Sequence, residues 1–198
     1  MTILLLGIIF NLSLLLASTW ALSSYLNEND QSRLKDILLS GLSSDDIGII
    51  DHSVRGLHLM GAQIANKDQI CNKLNTENEN VEAVFHAAKA ALVLGCPLQI
   101  SAGVRQKLES ALTANSVSEL FFATGALSAL GSKIEAPKVV KALNAALKKD
   151  DSIASLGQAF QIAATLEGDV SSVFGRIEDA IVQADQVCRF LIFNTIVL

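Results

Sequence analysis

The chain has 198 residues, 51% of them apolar and 18% charged, with a formal net charge of −5. That is enough length for one domain with a true core, and too much apolar material for a disordered chain. Its 15 Lys and Arg residues form no block, which excludes a phosphate-backbone partner and a polybasic membrane patch, so no nucleic acid is expected.

Residues 1–21 carry no charged side chain, and an apolar run fills most of 3–16. Thr19 and Ala21 are small residues at the two positions that a signal peptidase reads. The expectation is a signal peptide over 1–21, cleaved after Ala21, that delivers the rest to the secretory pathway. The alternative is an uncleaved signal anchor, because the apolar run nearly reaches spanning length. No Asn-x-Ser/Thr acceptor follows the signal, so no N-glycan is expected on the remainder.

The first helix is expected over 30–39. Asn29 or Asp30 would cap it, because a short side-chain oxygen accepts from free first-turn N–H groups. Gly41 would supply the left-handed stop. Ser43 or Ser44 then caps a second helix, with Asp45 and Asp46 in its first turn, where negative charge suits the dipole. That helix carries Ile47, Ile50, Val54, Leu57 and Leu59 to Gly61. Gly48 and Gly56 cost it about 1 kcal/mol each against Ala, which predicts close helix–helix approach.

From there a block repeats. Ile70 and Leu74, Val104 and Leu108, Val139 and Leu143, and Val173 and Ile177 each open an amphipathic helix, at steps of 34, 35 and 34 residues. Upstream of each, a more apolar segment ends at a glycine: Gly61, Gly95, Gly131 and, more loosely, Gly168. Two helices per period of this length mark an αα-hairpin repeat, and one hairpin cannot bury its apolar face alone. The segment 81–95, with Val84, Phe85, Ala87, Ala88, Ala91, Leu92 and Leu94, is apolar nearly all round and reads as buried on more than one side. The segment 104–112 has a single stripe of Val104, Leu108, Ala111 and Leu112, opposite Arg105, Gln106, Lys107 and Glu109. The alternation recurs: 120–130 is an inner helix, and 137–147 is an outer one with Pro137 in its first turn. Segments 153–166 and 173–182 follow. The expected fold class is all-α, with αα-hairpin repeats of about 35 residues forming a curved solenoid or partial α/α toroid. Residues 187–198 hold one charge among aromatic and β-branched residues, follow no repeat phase, and are too few to span a bilayer. The domain reading is therefore a signal peptide over 1–21, a helical-repeat luminal domain over 22–186, and a divergent apolar tail over 187–198.

Chemistry is sparse. His52 and His58 are six residues apart, which does not place them on one helical face, and no Cys or carboxylate joins them at ligand spacing. His86 beside Phe85 reads as a satisfied packing histidine. Glu77, Glu79 and Glu82 read as a solvated helix start, since acid–base work needs a pocket to split carboxyl pKa values. Phe121 and Phe122 read as core. There is no G-x-S-x-G, P-loop or G-x-G-x-x-G. Accordingly no catalytic residue, metal ligand or cofactor is expected. The cysteines are Cys71, Cys96 and Cys188. Cys71 lies early in an outer helix and Cys96 just past the glycine that ends the next inner one. An oxidising lumen would pair Cys71 with Cys96; the alternative is two buried free thiols.

One family shares this order of residues. Ser18-Thr19-Trp20-Ala21-Leu22, Tyr25-Leu26, Arg33-Leu34-Lys35, Gly56-Leu57 and Gly61-Ala62-Gln63 resemble the ribophorin II family. So do Cys71, Phe85 with Ala87-Ala88, Gly95-Cys96, Ile100-Ser101, Ala126-Leu127-Ser128 and Ile177-Glu178-Asp179, so the resemblance covers 18–186. It implies a luminal helical domain in the endoplasmic-reticulum oligosaccharyltransferase, where this subunit is non-catalytic and its partners are the other subunits. It carries over no catalytic residue. Family members continue into β-rich luminal modules and transmembrane helices, which 187–198 does not resemble, so membrane association is expected through the complex or through those family segments. The function implied is a scaffold supporting protein N-linked glycosylation. The alternative is a secreted helical-repeat module that binds proteins. A third reading, a carbohydrate hydrolase on an α/α toroid, needs two carboxylates about 5–10 Å apart on a concave face.

Overall fold

The computed structural model describes residues 26–75, 80–179 and 182, and among them every regular element is an α-helix. The expected signal peptide over 1–21, the tail over 187–198, Glu77, Glu79 and Cys188 lie outside the described residues. The helices are α1 (Glu28–Gly41), α2 (Ile47–Leu59), α3 (Lys67–Leu74), α4 (Val81–Leu94), α5 (Ala102–Ala111), α6 (Val117–Ala129), α7 (Ala136–Leu147) and α8 (Ile153–Thr165). A further helix, α9, covers 171–179. The all-α expectation holds. The chain divides into two compact units, Met1–Thr76 with His86–Gln99, and Glu77–Phe85 with Ile100–Leu198.

The first helix starts earlier than expected. Asn27 is its cap, and its Oδ1 accepts from the Asp30 N–H at 2.9 Å. Gly41 is not a left-handed stop: it closes α1 without a positive φ. It is glycine because a Cβ there would collide with the Ser53 Oγ of α2. The cap of α2 is Asp46, whose Oδ1 accepts from the Gly48 N–H at 2.7 Å and the Ile49 N–H at 3.3 Å. A carboxylate outcompetes the neighbouring hydroxyls because it also meets the positive end of the helix dipole. Ser44 instead accepts from the Asp46 N–H at 3.0 Å. Gly56 marks a close approach, since a Cβ there would lie 2.9 Å from the Leu38 Cδ1 of α1. Leu59 does not continue the buried stripe of α2; it is 56% exposed, and the stripe ends at Leu57.

The repeat phase is written in burial. All eight repeat positions, Ile70, Leu74, Val104, Leu108, Val139, Leu143, Val173 and Ile177, are at most 8% exposed. It is also written in the stops. Gly61, Gly95 and Gly131 have φ of 66°, 74° and 68°. The next residue in each case donates back across the turn: Ala62 N to Leu57 O at 2.9 Å, Cys96 N to Ala91 O at 3.0 Å, and Ser132 N to Leu127 O at 2.9 Å. This is the Schellman closure, which satisfies orphan carbonyls and needs the left-handed conformation glycine adopts freely. Gly168, the loosest match in sequence, has φ 141° after an extended Leu166 and ends its helix differently.

In the first unit, Ile50 and Val54 of α2 pack with Ile70 and Leu74 of α3 and with Ala87, Ala90, Ala91 and Leu94 of α4. At eight residues α3 is too short to hold itself in water. Three ties hold it. Cys71 is joined to Cys96 by a disulfide, with a Cα–Cα distance of 6.1 Å, inside the usual range for the bond. The Asn75 Oδ1 accepts from the Gln99 N–H at 3.0 Å. The Lys73 Nζ donates to the carbonyls of Ser43 and Ser44, both at 3.2 Å. A sequence separation of 25 between the cysteines corresponds to about 3.5 kcal/mol in the chain-entropy account of disulfides. As expected, α4 is buried on more than one side, through Val84, Phe85, Ala87, Ala88, Ala91 and Leu94, while Leu92 is 61% exposed: a helix packed on two sides still presents a third to water.

In the second unit, α6 is the central helix. It touches α5 and α7 and has its most extensive contact with α8, one inner helix against the next. Leu120, Ala123, Leu127, Val139 and Leu143 lie within this core, all at most 2% exposed. The rings of Phe85, Phe121 and Phe122 form a tilted cluster with centroids 5.1, 5.3 and 5.4 Å apart. Gly125 makes room for it, since a Cβ there would meet the Phe85 Cδ2 at 2.7 Å.

Candidate functional site

The densest polar constellation lies in the first unit, where a carboxylate sits inside the apolar stripe of α2. Asp51 follows Ile50 directly and precedes Val54 by less than one turn, so the helical period turns it inward. It is wholly buried. Arg55, one turn on, reaches back with its fork: Nε to Oδ1 and one Nη to Oδ2, both at 2.8 Å. From α4, the His86 Nδ1 lies 2.7 Å from the same Oδ2. The Arg55 terminal nitrogen also lies 3.0 Å from the His52 Nδ1. The His52 and His86 rings stand edge to face with centroids 5.3 Å apart.

Donor and acceptor chemistry fixes the protons. A carboxylate only accepts, so the His86 Nδ1 carries hydrogen and donates. A guanidinium only donates, so the His52 Nδ1 accepts. One bidentate pair of charge-assisted bonds and one imidazole bond converge on a carboxylate that water does not reach, which is what a buried charge requires. The group ties α2 to α4. His58 takes no part and is exposed.

His86, read from the sequence as a satisfied packing histidine, is satisfied by a carboxylate that the fold brings from 35 residues away. The signal was present: Asp51 lies in the phase of the apolar stripe, with Arg55 at the i+4 position that pairs with it. Among the described residues no group of three or more His, Cys, Asp or Glu side chains is placed to hold a metal ion.

A second feature is an open groove of about 610 Å³ in the second unit, bordered by Val81, Gly103, Gln106, Lys107, Ser110 and Glu119. Its walls are mixed in polarity and its mouth is wide, unlike the enclosed apolar pocket of a small-molecule site. Two exposed carboxylates have lowered pKa values. Asp150 is held down by the Ser155 hydroxyl and then by the Ser152 backbone and side chain, and Asp169 by the hydroxyl and backbone of Ser171. Both sit just before helix starts, where they act as capping anions. Among the described residues no helix is long and apolar enough to cross a membrane.

The sequence matches the family profile of the ribophorin II N-terminal domain over residues 26–195. The chain belongs to the ribophorin II family. The family is a component of the endoplasmic-reticulum oligosaccharyltransferase, and the endoplasmic reticulum is therefore where this chain resides. The family's place in that assembly is an accessory one, which implies protein partners. The match runs beyond residue 186 and takes in 187–195.

Proposed function

We propose that this chain is a non-catalytic scaffold of the endoplasmic-reticulum oligosaccharyltransferase and supports protein N-linked glycosylation by holding other subunits in place. The family match over 26–195 carries the reading. Several features support it. The polar constellation around Asp51 is spent on joining two helices, and the groove on the second unit is an open surface suited to a protein contact. The three glycine stops and the buried repeat positions favour αα-hairpin repeats arranged as a curved solenoid or partial α/α toroid, a form that offers long faces to partners. In this reading residues 1–21 are a signal peptide removed after Ala21, and the chain uses no cofactor and no catalytic residue of its own. Its partners are the other subunits, and its hold on the membrane comes through them.

The test is affinity purification of a tagged chain from microsomes solubilised in a mild detergent, with the eluate read by mass spectrometry. Catalytic and accessory oligosaccharyltransferase subunits in fixed ratio to the chain are expected. An eluate without them, with the chain accumulating in the medium, overturns the reading in favour of a secreted binding module.

A further inference from the structure

The helix α3 brings little of its own to the first core. It has eight residues, and a helix that short is not stable alone in water. Asn66, which starts it, sits in the left-handed region at φ 56° and makes no side-chain bond to the first turn. Between Gly61 and Asn75 only Ile70 and Leu74 are buried. Asn66, Lys67, Asp68 and Gln69 are all exposed, so water surrounds the N-terminal end of the helix.

The ties gather at the other end. Cys71 is bonded to Cys96, which lies in the turn that closes α4. Beside it, the Asn75 Oδ1 accepts from the Gln99 N–H at 3.0 Å, and the Asn75 Nδ2 donates to the Pro97 carbonyl at 3.4 Å. These three links join the C-terminal part of α3 to the segment 96–99, and one of them is covalent. Lys73 adds its bonds to the Ser43 and Ser44 carbonyls, but its side chain is 37% exposed and can trade them for water.

The covalent tie is open to chemistry. Cys71 and Cys96 pack at the edge of the first core and both stay half-buried, with exposed Asn72, Gly95 and Pro97 as chain neighbours. A disulfide at such a rim is within reach of an attacking thiolate, because exchange depends on access to a sulfur. In the same core α3 packs with Ile50 and Val54 of α2 and with Ala87, Ala90, Ala91 and Leu94 of α4. Those two helices are 13 and 14 residues long and are joined directly by Asp51 and His86. Their joint does not pass through α3.

We propose that the Cys71–Cys96 bond is a redox latch on α3: exchange with an incoming dithiol frees this helix and bares the apolar face of α2 and α4, while those two helices stay folded. The step balances. One thiolate of the dithiol attacks one protein sulfur, and the other protein sulfur leaves as a thiolate, which gives a mixed disulfide. The reagent's second thiolate then closes on its own bonded sulfur and releases the first protein sulfur. The chain gains two electrons and two protons, and the dithiol ends as a cyclic disulfide. The inference rests on the first unit alone and stands apart from the scaffold reading.

Hydrogen exchange in native buffer, read by mass spectrometry before and after dithiothreitol, tests it on the Cys188→Ser chain, which keeps a single cysteine pair. The 67–75 peptide should exchange at least about ten-fold faster after reduction, since the helix then opens without the rest of its unit. The 47–59 and 81–94 peptides should stay protected, because the opening of α3 leaves their own helical bonds intact. Replacing dithiothreitol with its oxidised form should restore the slow rate. Cys71→Ser with Cys96→Ser, in the same background, should show the fast rate from the start and ignore dithiothreitol. A bond that dithiothreitol leaves intact in native buffer overturns the proposal. Unchanged exchange of 67–75 after reduction also overturns it, because Ile70, Leu74 and the polar ties would then hold α3 unaided. Protection lost from 47–59 and 81–94 together with 67–75 does the same, because the bond would then staple the whole unit.

Discussion

Replacing Arg55 with Met tests whether the buried carboxylate is held as described. The substitution keeps the alkyl stem, so packing changes little, but it strips both guanidinium bonds from Asp51. What remains is a wholly buried carboxylate with His86 as its partner. Breaking a buried pair by removing one member costs about 3–5 kcal/mol, because the other charge stays desolvated. The Arg55 side chain is 39% exposed, so water can enter where the guanidinium stood. The expected loss is therefore at the low end, about 3 kcal/mol. Asp51→Asn should cost about 1.5–3 kcal/mol, the range for a hydrogen bond to a charged group. Arg55→Met with Asp51→Asn removes both charges together and should cost less than the two single changes summed, with a coupling of at least about 1 kcal/mol. Urea unfolding of the oxidised chain, followed by circular dichroism, gives all these values, and an unchanged urea slope keeps the comparison valid. If Arg55→Met lost less than about 1 kcal/mol, or the changes were additive, Asp51 would not be a desolvated charge dependent on Arg55.

Leu143→Ala should cost about 2–5 kcal/mol by the same assay, since the side chain is wholly buried in the second core; an unchanged midpoint would mean the repeat phase is wrong. Gly125→Ala should destabilise by about 1–2 kcal/mol despite better helix propensity, because its Cβ meets a Phe85 ring locked between two others. Gly56→Ala should be near neutral, because the Leu38 tip it meets can rotate away. Asp150 contributes to stability through its ionised form, since its folded pKa lies below the ordinary 3.8; the contribution is complete above that value and vanishes as pH falls through the lowered one. Asp150→Asn should therefore flatten the acid limb of the stability–pH profile and leave no difference from the parent at the acid end.

The helical class and the repeat were legible because a 3.6-residue stripe and a glycine stop are local signals, and each recurs in this chain. Ile70, Val104, Val139 and Val173 announce the buried face of each helix by position alone. Gly61, Gly95 and Gly131 announce the stops, since their conformation is one that other residues pay to adopt. The caps were displaced by a few residues because Asn27, Asn29 and Asp30 offer the same chemistry within one turn, and only the fold selects among them. Gly41 was misread because a glycine required by a neighbouring helix looks the same in sequence as one required by a turn. The Asp51–His86 contact spans 35 residues, and no local period reports a partner at that distance. The Asp51–Arg55 half was legible, as an acidic residue in an apolar phase with a cation at i+4.

The central claim is that this chain works as a structural member of the oligosaccharyltransferase and not as a free protein. Velocity sedimentation of detergent-solubilised microsomes tests it most directly. The account predicts that the chain sediments with the transferase activity, at the size of the whole complex, and that depleting the chain from that fraction removes the other subunits with it. A chain that stays at the top of the gradient, at the size of a lone protein, while the activity sediments without it, would contradict the account.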